Sequence, residues 1–343
     1  MSGTLDPTLR GGSALAPSVA NPWLVADIGG TNARFGLVTA PGGGVRDVIA
    51  LKCADFAALE TAARAYLDML AQRDGHAPSP RLAAFALATA ISGDVVKLTN
   101  NAWTVSRAAA ESALGAQRVF LFNDFEALAL ALPSLTETDV LSLGGEALDP
   151  TRTMAVIGPG TGLGVAGCVP NGRGGWMAVA GEGGHVSISA ADDFEAQVIA
   201  VVRREFKHVS AERILSGIGL PTLHKAVLTV RGAPPRDLAA EAITQSAHEG
   251  DAHCVATLDT FCAMLGGFAG NVALTLGARG GVFVGGGVAQ LLAATLRHSR
   301  FRERFEAKGR FDNYLKPIAT RLITAPHAAL IGAAQGIANG VAA

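Results

Sequence analysis

Val25-Ala26-Asp27-Ile28-Gly29-Gly30-Thr31-Asn32-Ala33-Arg34-Phe35-Gly36-Leu37-Val38 is a short apolar run, a Gly-Gly-Thr-Asn turn and a second apolar run. This pattern predicts a β-hairpin whose turn serves contact as well as reversal. Two adjacent glycines permit φ > 0 and let another group approach the backbone closely. The amides of Gly29, Gly30, Thr31 and Asn32, with Ile28 at the strand end, can then converge on an anion, as in the concave backbone nests that bind phosphate. Thr31 adds a hydroxyl. Asp27 is placed to hold a hydrated Mg²⁺ close to that anion. No Gly-Lys-Ser/Thr follows, so this is not a Walker loop. A strand rather than a helix follows the glycines, so it is not a Rossmann fingerprint either. Taken alone, the stretch is equally compatible with an ordinary Gly-rich hairpin.

The pattern recurs. Ala155-Val156-Ile157-Gly158-Pro159-Gly160-Thr161-Gly162-Leu163-Gly164-Val165-Ala166 is again apolar strand, Gly/Thr turn, apolar strand. A third Gly-rich turn lies at Gly281-Val282-Phe283-Val284-Gly285-Gly286-Gly287-Val288, with helix-like Ala289–Leu292 after it. Two phosphate-type hairpins in two halves of one chain suggest a duplicated α/β unit that clamps a nucleotide. From about Asn21 to the last helix, the chain resembles the bacterial glucokinase family, within the superfamily of hexokinases, actin and the heat-shock chaperone ATPases. The resemblance rests on Asp27–Arg34, Leu98-Thr99-Asn100, Asn123-Asp124-Phe125, Gly158–Gly164, Gly181-Glu182-Gly183-Gly184-His185 and Ser210-Ala211-Glu212-Arg213, in that order. It implies a two-domain α/β fold of the actin/hexokinase (ribonuclease H-like) kind, with a nucleotide and sugar cleft between the domains. The activity it implies is phosphorylation of D-glucose to glucose 6-phosphate by Mg-ATP, the first step of glycolysis.

Bulk properties agree with a large globular chain. The protein has 343 residues, of which 49% are hydrophobic and 17% charged, enough for a sizeable core in more than one domain. A net charge of −1 gives no electrostatic footprint for nucleic acid. Small molecules or further copies of the chain are therefore the expected partners, and the resemblance implies a homodimer. Cys53, Cys168, Cys254 and Cys262 lie far apart and form no Cys-x-x-Cys, which argues for a reducing, cytoplasmic setting and against a zinc site. Small Ala, Gly and Val residues account for the positive mean hydropathy, and no apolar run is expected to approach the roughly 18 residues a membrane helix needs.

Residues 1–20, rich in Gly, Ser, Pro and Ala, are expected to be a disordered arm. The small α/β domain is placed at 21–134 plus about 324–343, and the large one at 135–323. Helical spacing is seen in Phe56–Leu70, Phe125–Leu132, Phe194–Lys207, Glu212–Leu215, His253–Leu276 and Ile331–Ala338. Strands are read at Val48–Lys52, Leu82–Thr89, Val95–Leu98, Val119–Phe122 and Trp176–Val179. Strand and helix alternate, as in α/β architecture.

Asp124 lies between a strand and a helix, where Asp is also a favoured N-cap. The resemblance makes it the catalytic base that takes the proton from the attacking sugar hydroxyl, as the catalytic-loop Asp does in protein kinases. Asn123 and Asn100 are candidate sugar contacts, with Thr99 a weaker one. Glu182 and His185 form a Glu-x-x-His pair without the further Cys or His ligands that zinc requires. The related branch with a Cys-rich zinc motif beside such a His is thereby disfavoured. By resemblance, Glu182, His185 and Glu212 bind sugar hydroxyls. Gly160, Thr161 and Gly162 flank the phosphates, and Gly285, Gly286 and Gly287 lie along the nucleoside. Two alternatives stay open: a kinase for another hexose or an amino sugar, and a non-catalytic sugar sensor. The N-terminal stretch is too short and aperiodic for the helix-turn-helix such sensors carry.

Overall fold

A computed structural model describes residues 15–342. The chain divides into two compact units. One comprises the residues up to Ser134, Asn171–Ala178 and the chain from Pro326 on; the other comprises Leu135–Pro170 and Val179–Ala325.

The first unit is built on strands β1 (Trp23–Ile28), β2 (Asn32–Val38), β3 (Arg46–Lys52), β4 (Leu82–Leu87), the short hairpin β5 (Val95–Lys97) and β6 (Thr104–Ser106), and β7 (Arg118–Asn123). Its main sheet has the order β3-β2-β1-β4-β7. β1 and β2 are antiparallel, whereas β1, β4 and β7 run parallel. Every residue of β4 is buried, the mark of a central strand covered on both faces. The two-residue period divides β1 accordingly. Leu24, Ala26 and Ile28 join the core formed with α1 (Leu59–Asp74) and α2 (Arg107–Leu114). Trp23 and Val25 face the other way, toward Leu330, Ala333 and Ile337 of the C-terminal helix Ala328–Ala342. That helix also packs on α3 (Asp124–Ala131). Gly332 makes the close approach possible, because a Cβ there would overlap the Ala127 carbonyl of α3.

Ile28 pairs with Leu87, and Leu87 with Asn123, so the ends of β1, β4 and β7 line up at one edge. The turn after β1 and the start of α3 therefore emerge at the same edge, one strand, β4, apart. In open α/β sheets the carboxyl edge of the parallel strands is the usual ligand edge.

The second unit is built on β8 (Val140–Gly144), β9 (Met154–Pro159), β10 (Leu163–Pro170), β12 (Gly281–Val284), β13 (Thr320–Ile323) and the Val179–Gly181 end of β11 (Trp176–Gly181), in the sheet order β11-β10-β9-β12-β13-β8; Trp176–Ala178 of β11 group with the first unit. β9 and β10 form the second hairpin, and β12 lies parallel to β9 with Val284 opposite Ile157. Helices α4 (Asp193–Arg203), α5 (Gly219–Val230), α6 (Ala240–His248) and α7 (Ala252–Leu276) build its core with the sheet. Pro221 is accommodated in the first turn of α5, where a missing N–H leaves no intrahelical bond unmade.

Three sequence expectations change here. Of the arm expected over 1–20, residues 1–14 lie outside the described residues, but Leu15 is buried and its carbonyl accepts a 2.9 Å hydrogen bond from Trp23 Nε1. Glu212–Leu215 is a run of turns rather than a helix, with Arg213 N–H donating to Ser210 O and Ile214 N–H to Ala211 O. Finally, α7 is long and apolar enough by length and composition to cross a membrane; however, 67% of that stretch is buried, so its apolar surface is taken up by the core.

Candidate functional site

In the first unit the hairpin turn is closed by Gly29 N–H donating to Asn32 O at 3.0 Å. Thr31 is exposed at the tip. The expected positive φ is absent: neither Gly29 nor Gly30 adopts it. Close approach is what demands glycine here, because a Cβ on Gly30 would lie 2.9 Å from both Cβ and the carbonyl oxygen of Asn100. Asn100 itself is exposed directly over this turn. Its neighbour Asn101, which sequence reasoning missed, fixes the arrangement. Its Nδ2 donates to Gly29 O at 3.2 Å, and its Oδ1 accepts from Trp103 N–H at 2.8 Å. Thr99 exchanges a 3.0 Å hydroxyl contact with Thr89.

Asp27 sits directly opposite Arg34 across the hairpin, with 3.6 Å between carboxylate and guanidinium. Burial pushes the Asp27 carboxyl above the usual carboxylate range, while Arg34 and His327 act to lower it. His327 is one of two non-glycine residues with positive φ among the described residues, and its carbonyl caps the C-terminal helix by accepting from Leu330 N–H.

The helix carrying Asp124 is capped differently from the sequence reading. Asn123, not Asp124, is the N-cap. Asn123 Oδ1 accepts from Phe125 N–H at 2.9 Å and Glu126 N–H at 3.4 Å, and its Nδ2 donates to Thr89 O at 3.1 Å. Glu126 returns the bond to Asn123 N–H at 2.8 Å, completing a capping box. The signal was present as Asn-x-x-Glu at 123–126. Asn123 therefore spends most of its polar capacity on holding the loop. Asp124 is the first helical residue, accepting one bond from Phe125 N–H at 3.0 Å. Burial first, and the negative charge of Asp27 second, push its carboxyl up to about 6. A half-buried carboxylate with that affinity can both ionise and take a proton near neutral pH.

In the second unit the Gly160–Gly162 turn is closed by Gly160 N–H donating to Gly162 O, and Gly217 N–H donates to Gly160 O at 2.8 Å. Thr161, like Thr31, is exposed at the tip. Neither Gly160 nor Gly162 has positive φ. The β9–β12 register sets the Gly285–Gly287 turn alongside this one. There glycine is required on both counts, since Gly286 has φ 83° and a Cβ would crowd Pro159 O at 2.5 Å.

Glu182, His185 and Glu212 are brought together in this unit. His185 lies 3.9 Å from Glu182 and 3.9 Å from Glu212. Glu182, the residue before the 3₁₀ turn Gly183–His185, and His185, its last residue, are both exposed. Backbone bonds from Glu212 N–H to Gly184 O and from Ala211 N–H to Val186 O dock the Glu212 segment on that turn. Glu212 Oε2 also accepts from Leu163 N–H at 2.9 Å. Among the described residues, no group of three or more His, Cys, Asp or Glu side chains is arranged to hold a metal ion directly. Asp27 fits a different role. It is one desolvated oxygen donor, suited to a hard cation that keeps most of its waters.

Chemically, the first unit offers a base and a phosphate-type turn at one sheet edge. The second offers two further glycine turns and a cluster of hydroxyl-binding acceptors. A family model described as Glucokinase matches residues 24–339. The chain is 46% identical over 323 residues to the glucokinase of Chromobacterium violaceum, covering 94% of this chain and 90% of that one. It is 45% identical to the glucokinase of Aromatoleum aromaticum, over 94% and 96% of the two chains. Among solved structures, the crystal structure of a glucokinase from an Antarctic psychrotroph superposes with a TM-score of 0.86 at 37% identity, covering 93% of this chain and 99% of that one.

Proposed function

The chain belongs to the glucokinase family, and from that premise we infer how its residues perform ATP-dependent phosphorylation of D-glucose to glucose 6-phosphate. The observation that carries the residue assignment is Asp124, a half-buried carboxylate at a helix start, held by an Asn123–Glu126 capping box and pushed up to about 6. It is ionised at neutral pH yet basic enough to accept a proton. In the proposed reaction the 6-hydroxyl oxygen of glucose forms a bond to the γ-phosphorus, and the bond from that phosphorus to the bridging oxygen of ADP breaks. Asp124 takes the hydroxyl proton as this happens.

In this reading Glu182, His185, Glu212 and Asn100 bind sugar hydroxyls. Vicinal hydroxyls paired with fixed carboxylates discriminate epimers, because a misplaced hydroxyl leaves an acceptor unpaired. The amides of the Gly29–Asn32 and Gly160–Gly162 turns, with Thr31 and Thr161, take the phosphates, and Gly285–Gly287 lies along the nucleoside. Asp27 would hold a hydrated Mg²⁺, which when bound would supply positive charge against the phosphate oxygens. Arg34 and the capping network keep Asp27 and Asp124 in place. We further propose that the enzyme is cytoplasmic and acts as a homodimer; light scattering in solution should then return twice the 34.9 kDa chain mass.

A coupled assay for ADP release over a panel of hexoses and amino sugars tests the reading. Glucose should be the preferred acceptor, with Mg²⁺ required. Equal or better turnover of an amino sugar would overturn the assignment of substrate, and ADP release insensitive to any sugar would overturn the reaction.

A further inference from the structure

Glu212 belongs by the reading above to the sugar contacts, and Gly162 to the phosphate-side turn. The structure joins them. Glu212 Oε2 accepts the Leu163 N–H at 2.9 Å, the first amide after that turn. A Cβ placed on Gly162 would fall inside the contact distance of the same oxygen, with Glu212 Cδ next at 3.2 Å. Apart from the glycine's own chain neighbours, the three nearest atoms to that added carbon all belong to the Glu212 side chain, the third being Cγ at 3.9 Å. Gly162 does not have positive φ, so the backbone there is open to any residue. What first meets a side chain at 162 is therefore the Glu212 carboxylate. Glu212 Oε1, the other oxygen, faces His185 at 3.9 Å.

We propose that Glu212 is a positioning residue for the Gly160–Gly162 turn as well as a sugar contact, one oxygen serving each, so that glucose binding and the nucleotide-side turn are coupled through a single carboxylate. This rests on the functional reading above, and it adds a link between the two substrates. A carboxylate held by Leu163 N–H is aimed for the sugar before the sugar arrives. Conversely, a turn whose first strand amide is anchored by Glu212 is ordered before the nucleotide arrives. Pre-ordering by one contact lowers what each ligand must order on binding, and such coupling is reciprocal.

Two substitutions separate this from a purely structural role. Gly162→Ala should fold, because the only atoms in its way are the far end of a flexible side chain, which can swing aside. Swinging aside takes the carboxylate from its sugar-binding position. Titrated with glucose alone and no nucleotide, Gly162→Ala should bind about tenfold more weakly than the wild type while melting at a similar temperature. Gly44→Ala serves as the comparison, since it lies outside the proposed site and nothing lies within 4 Å of the added carbon, so it should keep wild-type glucose affinity. In the reverse direction, Glu212→Ala should weaken ADP binding measured without sugar. Glu212→Gln, whose amide oxygen still accepts from Leu163 N–H, should restore ADP affinity without restoring glucose affinity. Unchanged glucose affinity in Gly162→Ala, or unchanged ADP affinity in Glu212→Ala, overturns the coupling. If Gly162→Ala does not fold, the Glu212 pair alone decides. A wild-type protein that binds no glucose would instead sink the functional reading, an outcome the same titration reports first.

Discussion

Asp124 gives the sharpest test at the scale of single residues. Its carboxyl is pushed up to about 6, chiefly by burial and then by the charge of Asp27. For a base, activity follows the ionised form, so kcat/KM should be flat above pH 7 and decline as pH falls through about 6. A profile that breaks only near the ordinary aspartate value would remove Asp124 as the base. The same shift sets the sign of its effect on stability. A carboxyl whose folded-state value lies above its unfolded value favours the fold at low pH, and that contribution is lost as pH rises through about 6. At neutral pH the ionised Asp124 therefore costs stability, on the order of 2–3 kcal/mol at most. Asp124→Asn removes that charge, and Asn123 rather than residue 124 is the cap. The variant should melt no lower than the wild type at pH 7, and its advantage should vanish at pH 4. Loss of a general base costs about 10²–10⁴ in rate, and kcat should fall by that much while glucose still binds. Asn123→Ala should do the opposite, lowering stability by about 0.5–2 kcal/mol for the lost cap. Thermal melts of the two variants at both pH values separate the roles of neighbouring residues that the sequence had left entangled.

Within the elements, both phosphate-type hairpins were legible because apolar–Gly/Thr–apolar is a local pattern, and the structure has both strand pairs in register. The reason for their glycines was not legible. Gly30 is set by the approach of Asn100, and Gly162 by Glu212, contacts that join distant parts of the chain and leave no periodicity. Asn101 holding Gly29 from 72 positions away, and Glu212 holding Leu163 from 49, are of the same kind. The Glu212 segment reads as the opening of a helix in sequence, yet its backbone is spent on turns and on docking against Gly184 and Val186. Close helix packing also hides in one residue. Gly332 sits where the C-terminal helix meets α3, the element that carries Asp124, and a Cβ would overlap the Ala127 carbonyl. Backbone cannot swing aside as a side chain can. Gly332→Ala, favourable by helix propensity alone, should therefore destabilise by about 1–3 kcal/mol or more, the usual range for overpacking. A melting temperature equal to or above the wild type would show that the two helices separate without cost.

For the molecule as a whole, each unit has its own core, and the proposed roles are divided between them. Asp124, Asp27 and Asn100 belong to the first unit, and Glu182, His185 and Glu212 to the second. No single side chain supplies both the base and the three sugar acceptors. If one glucose engages both sets, as the proposed roles require, its binding restrains the two units. Families of enzymes that transfer a phosphoryl group commonly use such a restraint to exclude water once the sugar is in place. Exclusion matters here because water is itself an acceptor for the γ-phosphoryl group, and a base strong enough to serve a sugar hydroxyl can serve water as well. Saturating glucose should therefore narrow the distance distribution measured by small-angle scattering and reduce the radius of gyration. Glucose should also suppress any slow ATP hydrolysis. Glu182→Gln, which loses a charged acceptor in the second unit and leaves Asp124 untouched, should need more glucose to reach the same compaction. A radius that does not respond to saturating glucose in an active enzyme would mean that the two units already hold their working arrangement, and that water is kept out by local groups such as the Asn100–Gly30 contact rather than by closure.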